Sequence, residues 1–245
     1  MRSGWNVADV LEVRVETPTA RTIRLRLPGL TGHLAGQHID VRLTAEDGYS
    51  AVRSYSVASA LPGDELEITV EELADGEVSP YLVTGLSPGD RLEVRGPIGG
   101  WFVWRPEDHS PVQLIAGGSG VVPLMAMIRA HEASANPSEF RLLYSVRDPE
   151  SAFYRSELES MSRSSHRFTL TWVYTRRVPP GWPTPAGRLD AATLESVVFP
   201  PGIAPAVYVC GATGFVEAIA DRLVQAGHSP DRIRAERYGG MDGSS

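Results

Sequence analysis

The chain has 245 residues, 42% of them apolar and 22% charged, with a formal net charge of -7. That length holds one large domain or two ordinary ones with packed cores, and the acidic balance excludes general affinity for nucleic acid or an anionic membrane. No apolar run reaches the ~20 residues of a spanning helix and the first residues lack the apolar core of a leader, so no membrane segment and a cytoplasmic location are expected.

Cys210 is the single cysteine, which leaves no internal disulfide and no four-cysteine iron-sulfur cluster held by this chain alone. All 23 basic residues are arginine, which excludes a Walker-type phosphate loop and any Schiff-base lysine. The six histidines are scattered with no pair at helical metal-ligand spacing, so no metal site is expected.

In the first half the apolar residues alternate: Leu11, Val13, Val15, then Ile23, Leu25, Leu27, then Ile39, Val41, Leu43, followed by Leu66, Ile68, Val70 and Leu92, Val94. Period two predicts antiparallel strands with one face inward. Turn signals at Pro28-Gly29, Asp47-Gly48, Pro62-Gly63-Asp64 and Pro88-Gly89-Asp90 have the spacing of a small barrel or sandwich, and residues 1–108 are read as one all-β domain. Arg53-Ser54-Tyr55-Ser56 lies between two of these runs. Arginine suits a phosphate, tyrosine a flat ring, and serine both donates and accepts. On a strand Arg53 and Tyr55 would share one face, with Ser56 at the edge. Further on, Gly76-Glu77-Val78-Ser79-Pro80 reads as a turn into a short helix with Ser79 as N-cap, a helix start that can face an anion. Gly96-Pro97-Ile98-Gly99-Gly100 closes the domain, its glycines allowing close approach to a flat ligand or to another backbone.

Beyond residue 110 strands alternate with helices, the signal for a parallel sheet, and residues 109–245 are read as an α/β domain. Strands are expected at 112–115, 140–145, 168–174, 207–210 and 232–238. A helix with Leu124, Met127, Ile128 and His131 on one face follows the first strand. Another, with Phe215, Ile219 and Leu223, follows the fourth and ends at Gly227. Two glycine-rich turns, Gly117-Gly118-Ser119-Gly120-Val121-Val122-Pro123 and Gly211-Ala212-Thr213-Gly214, would share the carboxyl edge where such sheets bind ligands. The first fails the Rossmann fingerprint at its third glycine. It also fails the Gly-x-Ser-x-Gly elbow of serine hydrolases, since Val121 stands at the last position. Arginines follow two of the strands, in Ser145-Val146-Arg147 and Thr175-Arg176-Arg177, with no acid directly at either end; a forked cation with a hydroxyl suits the 2′-phosphate of NADPH, although NADH remains possible.

In this order the motifs resemble those of the ferredoxin-NADP reductase superfamily over nearly the full chain. The resemblance implies a flavin-binding antiparallel barrel followed by a nicotinamide-binding five-stranded α/β sheet. It implies FAD held by Arg53, Ser54, Tyr55 and Ser56 and by the Gly76, Val78 and Ser79 turn. The nicotinamide cofactor would be held by Gly118, Ser119, Gly120 and Pro123, by Ser145, Arg147 and Arg176, and by Cys210, Gly211 and Phe215. Ser56, Cys210 and Glu236 are implied at the reacting centre, and Tyr238 beside the flavin, although residues 239–245 continue past it. The implied activity passes a hydride from NAD(P)H to FAD and then single electrons to a separate redox protein: a ferredoxin, a flavodoxin, an oxygenase or a molybdenum-cofactor enzyme. The alternative is a flavin subunit that passes electrons only within a larger complex. One departure stands out: the family often has a basic residue on the strand before Gly76, where this chain has Glu71-Glu72.

Overall fold

Period-two patterning produces six antiparallel strands in the first half of the protein, whose computed structural model describes residues 4–60 and 62–238. They are β1 (Asn6–Thr17), β2 (Ala20–Arg26), β3 (His38–Thr44), β4 (Ser50–Ser56), β5 (Glu65–Glu71) and β6 (Arg91–Ile98), joined in the order β4-β3-β6-β1-β2-β5. The sheet curls without closing: its two outer strands meet just past β4, at a single antiparallel bridge between Val57 and Ile68. Ile23, Leu25, Ile39, Val41, Leu66, Ile68, Leu92 and Val94 fill the interior, as the alternation predicts.

β1 departs from expectation. Ala8, Val10 and Thr17 are its buried positions, while Val15 is 69% exposed. The register shift at Val10/Glu12 moves the inward parity from Ala8 and Val10 to Val13, which packs against the core opposite Ile23, whereas Val15 lies opposite Arg21 and is left to solvent. Gly96 resolves the closing segment in favour of backbone approach, since a Cβ there would lie 3.1 Å from the His38 carbonyl oxygen.

The second half forms five parallel strands, β7 (Val112–Gly117), β8 (Phe140–Val146), β9 (Phe168–Tyr174), β10 (Ala206–Ala212) and β11 (Ile233–Tyr238), in the order β11-β10-β7-β8-β9. Four helices join them: α1 (Val121–Glu132), α2 (Arg155–Ser164), α3 (Ala191–Val197) and α4 (Thr213–Gln225). The central strands are buried on both faces, as helices on either side of a parallel sheet require. α4 buries Val216, Ile219 and Leu223 and ends where Gly227, at φ +97°, lets His228 N–H return to the Leu223 carbonyl. By contact density the chain divides into Met1–Arg105 with Met125–Ser134, and Pro106–Leu124 with Ala135–Ser245. No helix among the described residues is long and apolar enough to cross a membrane.

Candidate functional site

The first group of site residues lies on β4, a strand at the edge of its sheet. Pairing with β3 sets Arg53 opposite Val41, Ser54 opposite Asp40, Tyr55 opposite Ile39 and Ser56 opposite His38. Tyr55 packs half-buried against the barrel core, and that burial pushes its phenol up to about 12, so it stays neutral and presents an uncharged ring. Arg53 stays exposed, one guanidinium nitrogen donating to the Val52 carbonyl at 2.8 Å and another paired with Glu77.

Ser54 faces away from Arg53 and Tyr55. Alternation turns it to the other face, where its hydroxyl donates to Asp40 at 2.6 Å. Asp40 also accepts two bonds from Arg95, at 3.0 and 2.6 Å. Burial pushes the Asp40 carboxyl up, but Ser54 and Arg95 outweigh it and hold the group below its ordinary value. Ser54 therefore braces the strand rather than sharing a face with Arg53 and Tyr55.

The turn at 73–79 is built tightly beside Arg53's partner. Gly76 N–H donates to the Leu73 carbonyl, and a Cβ on Gly76 would lie 2.7 Å from the Ser79 hydroxyl and 3.0 Å from the Leu73 carbonyl oxygen, so a larger residue would have to displace Ser79. Ser79 does not cap the helical turn as expected. Its Oγ accepts from Leu73 N–H at 3.0 Å, and the π-type turn Tyr81–Gly85 begins at Pro80 without a side-chain cap. Val78 is fully buried in the barrel core. Between Gly76 and Val78 stands Glu77, which accepts from the Tyr49 hydroxyl as well as from Arg53. Those bonds, led by that from Tyr49, hold its carboxyl below the usual range.

The second group collects at the carboxyl edge of the parallel sheet. After β7 the chain steps outward to β8 and β9, then returns to the other side of β7 for β10 and β11, so the order reverses between β7 and β10. A crevice forms at such a reversal. Register aligns Gly117 with Ser145, Cys210 with both Ala116 and Glu236, and Ala212 with Tyr238. A turn of 3-10 helix, Gly118–Gly120, then leads into α1, with Gly118 at φ +56° and Pro123 buried in the helix. A Cβ on Gly120 would lie 2.2 Å from the Cys210 carbonyl oxygen, so the two glycine turns touch backbone to backbone. The Phe215 ring lies against both Gly117 and Gly211, within 2.7 and 2.8 Å of where their Cβ atoms would be. Tyr238 donates its hydroxyl to the Gly117 carbonyl at 2.5 Å and accepts from Gly120 N–H at 3.3 Å, which sets it on the glycine turn. Cys210 is buried; desolvation, and after it the nearby Glu236, push its thiol well up, so it packs as a neutral S–H group.

Beside this turn is a cleft of about 810 Å³ whose walls carry Gly118, Ser145, Arg147, Arg176, Arg188, Phe215 and Arg222 and, among the described residues, include no carboxylate. Arg147 and Arg176 stand where the sequence places them. Arg177 instead pairs with Glu150 at 2.7 Å and Asp148 at 3.6 Å, the ordinary fate of an exposed arginine. Arg188 and Arg222 were not anticipated. Arg188 sits just before Leu189 in the segment leading to α3, and Arg222 donates from α4 to the Leu189 carbonyl. Four guanidinium groups with a serine hydroxyl form a donor set that fits phosphate oxygens. On β4, the exposed Arg53 beside the neutral ring of Tyr55 fits the phosphate and the flat ring of a flavin, with Glu77 as the discordant member.

Residues 8–103 match the oxidoreductase FAD-binding domain family and residues 114–221 the oxidoreductase NAD-binding domain family. Methane monooxygenase component C of Methylosinus trichosporium is 31% identical over 170 residues, covering 67% of this chain and 48% of that protein. The glycine betaine monooxygenase reductase subunit of Chromohalobacter salexigens is 32% identical over 210 residues, covering 83% and 55%. The chain thus spans about half the length of these curated relatives. The FAD/NAD-binding domain of nitric oxide dioxygenase from Vibrio cholerae superposes with a TM-score of 0.83 at 24% identity, covering 98% of this chain and 100% of that one. Fold and matches together define an oxidoreductase unit with an FAD-binding domain followed by an NAD-binding domain. The chain belongs to the oxidoreductases in which these two domain families stand in series.

Proposed function

We propose that the chain is an NADPH-oxidising FAD reductase, cytoplasmic, that hands electrons to a separate acceptor protein. The observation that carries the choice of NADPH is the cleft beside the Gly118–Gly120 turn, with four arginines, Ser145 and, among the described residues, no carboxylate on its walls. An NADH site would more naturally offer an acid to the ribose hydroxyls. FAD supplies the chemistry when bound, taking two electrons as a hydride and releasing them singly.

The chain's own residues bind and orient. Arg53 binds a flavin phosphate, together with backbone donors of the turn from Gly76 to Ser79, and Tyr55 offers its neutral ring to the flavin face. Ser56, at the end of the same strand, is assigned to the reacting edge of the flavin. In the second domain Gly118, Ser119 and Gly120 take the nicotinamide diphosphate at the start of a 12-residue helix, whose dipole favours anions there. Tyr238 must then give up its bond from Gly120 N–H. Arg147 and Arg176, supported by Arg188 and Arg222, hold the 2′-phosphate. Cys210, a neutral and small thiol beside Gly211, is assigned to pack against a flat ring without competing as a nucleophile, and Glu236 on the neighbouring strand is assigned to hold a proton.

A separate acceptor is supported by two of the chain's relatives, a methane monooxygenase component and a monooxygenase reductase subunit. An oxygenase or a ferredoxin is therefore the assigned class of partner. Steady-state reduction of ferricyanide by the FAD-loaded protein is the test. Turnover with NADPH exceeding that with NADH supports the reading; no turnover with either nicotinamide overturns it.

A further inference from the structure

The most discordant charge in the molecule stands at the proposed flavin-phosphate site. Arg53 is the one arginine that β4 offers to a phosphate, yet a guanidinium nitrogen of Arg53 is paired with Glu77. Both side chains are about half exposed, 51% and 42%, so neither is locked in place by burial. Glu77 is nevertheless fixed from two directions. The Tyr49 hydroxyl donates to its other carboxylate oxygen. Its backbone belongs to a turn braced by Gly76 N–H on the Leu73 carbonyl and by Leu73 N–H on Ser79, where a side chain at Gly76 would have to displace Ser79. Arg53 is held less firmly: besides pairing with Glu77, it donates to the carbonyl of its own neighbour, Val52.

From this asymmetry we infer that Glu77 is a specificity-determining residue that lowers affinity for phosphate-bearing flavins by neutralising Arg53. The inference rests on the assignment of Arg53 to the flavin phosphate. An incoming phosphate meets a cation already satisfied by a carboxylate, so Arg53 must leave Glu77 or share its fork between two anions. The anchored partner is the acid, so the arginine makes the adjustment. The two flanking positions Glu71 and Glu72 add negative rather than positive charge to the approach to this turn. FAD is consequently held less tightly than Arg53 alone would hold it, and the flavin exchanges.

The test is a fluorescence titration with FAD and, separately, with riboflavin, which lacks the phosphate, on the full chain and on three variants: Glu77→Gln, Arg53→Ala and the pair together. Glu77→Gln, which keeps the shape and the bond from Tyr49 but removes the charge, should tighten FAD by about three- to tenfold, the range expected for relief of an exposed ion pair and of like-charge repulsion. Riboflavin should be unaffected, and in the Arg53→Ala background the gain should shrink to about twofold or less. An unchanged or weakened FAD affinity in Glu77→Gln, or an equal gain for riboflavin, overturns the inference. A full gain persisting without Arg53 does so as well. If instead Arg53→Ala itself leaves FAD affinity unchanged, the assignment of Arg53 fails, an outcome distinct from the others.

Discussion

Gly120→Ala places a methyl group where the two glycine turns of the parallel sheet meet most tightly. Its Cβ would lie 2.2 Å from the Cys210 carbonyl oxygen, 2.4 Å from the Cys210 carbonyl carbon and 2.7 Å from Gly211 N, against 3.4 to 4 Å for ordinary contact. All three neighbours are backbone, and β10 is held on both sides by β7 and β11, so no side chain can turn away to make room. Separating the segments by the missing ångström should cost about 3 kcal/mol, the upper part of the range for overpacking. At about 2–4 °C per kcal/mol for a protein of this size, the midpoint of thermal unfolding should fall by roughly 6–12 °C. Gly118→Ala is the comparison. Its Cβ meets only the Tyr238 hydroxyl, at 3.2 Å, and its φ of +56° costs an alanine about 1 kcal/mol. Circular dichroism melts of both variants, paired with calorimetric titration of NADP⁺, read stability and binding together. A Gly120→Ala protein that melts within 2 °C of the parent, or one more stable than Gly118→Ala, would refute the packing argument.

Arg176→Ala and Arg147→Ala should each raise the Michaelis constant for NADPH about tenfold, the low end for a charge-assisted contact because both side chains are exposed, and leave that for NADH nearly unchanged. Equal effects on the two cofactors would remove these residues from the 2′-phosphate. Cys210 should resist iodoacetamide in the folded protein at pH 8.5, a pH at which unfolding exposes it to alkylation. Because its folded pKa lies above the unfolded one, the folded state holds the proton more tightly. The contribution is therefore fully present below the unfolded value, near 8.5–9, and stability falls as pH rises from there toward the folded pKa. Alkylation of the native protein at the rate of a free thiol would show that the group is not desolvated.

Much of this architecture was legible because burial imposes a period on the sequence. β2, β3, β5 and β6 follow their alternating apolar residues, and β7, β8 and β10 their short apolar runs. β1 misled because a bulge after Val10 shifts its parity, and a bulge adds one residue without any marker in composition. α2 was invisible for a comparable reason. It begins after Tyr154, which sits at φ 55° without a side-chain cap, whereas α3 carries a readable signal in Asp190, which accepts from Thr193 N–H at 2.8 Å. At the site, residues adjacent in sequence to a motif were found and those brought in from afar were not. Arg188 comes from the long segment between β9 and α3, which has no period, and Arg222 from the polar side of α4. Strand alternation already turns the Ser54 side chain away from Arg53 and Tyr55, toward Asp40. Glu77 reads in sequence as a solvated acid in a turn, and only the fold shows it against Arg53.

The most direct measurement is an anaerobic titration of the FAD-reconstituted protein, followed by its visible absorption spectrum, with NADPH in one cuvette and NADH in the other. The account predicts that one equivalent of NADPH bleaches the flavin band, with NADH slower and less complete at the same concentration. A protein that takes up no FAD, or a bound flavin that neither nicotinamide bleaches, would contradict it.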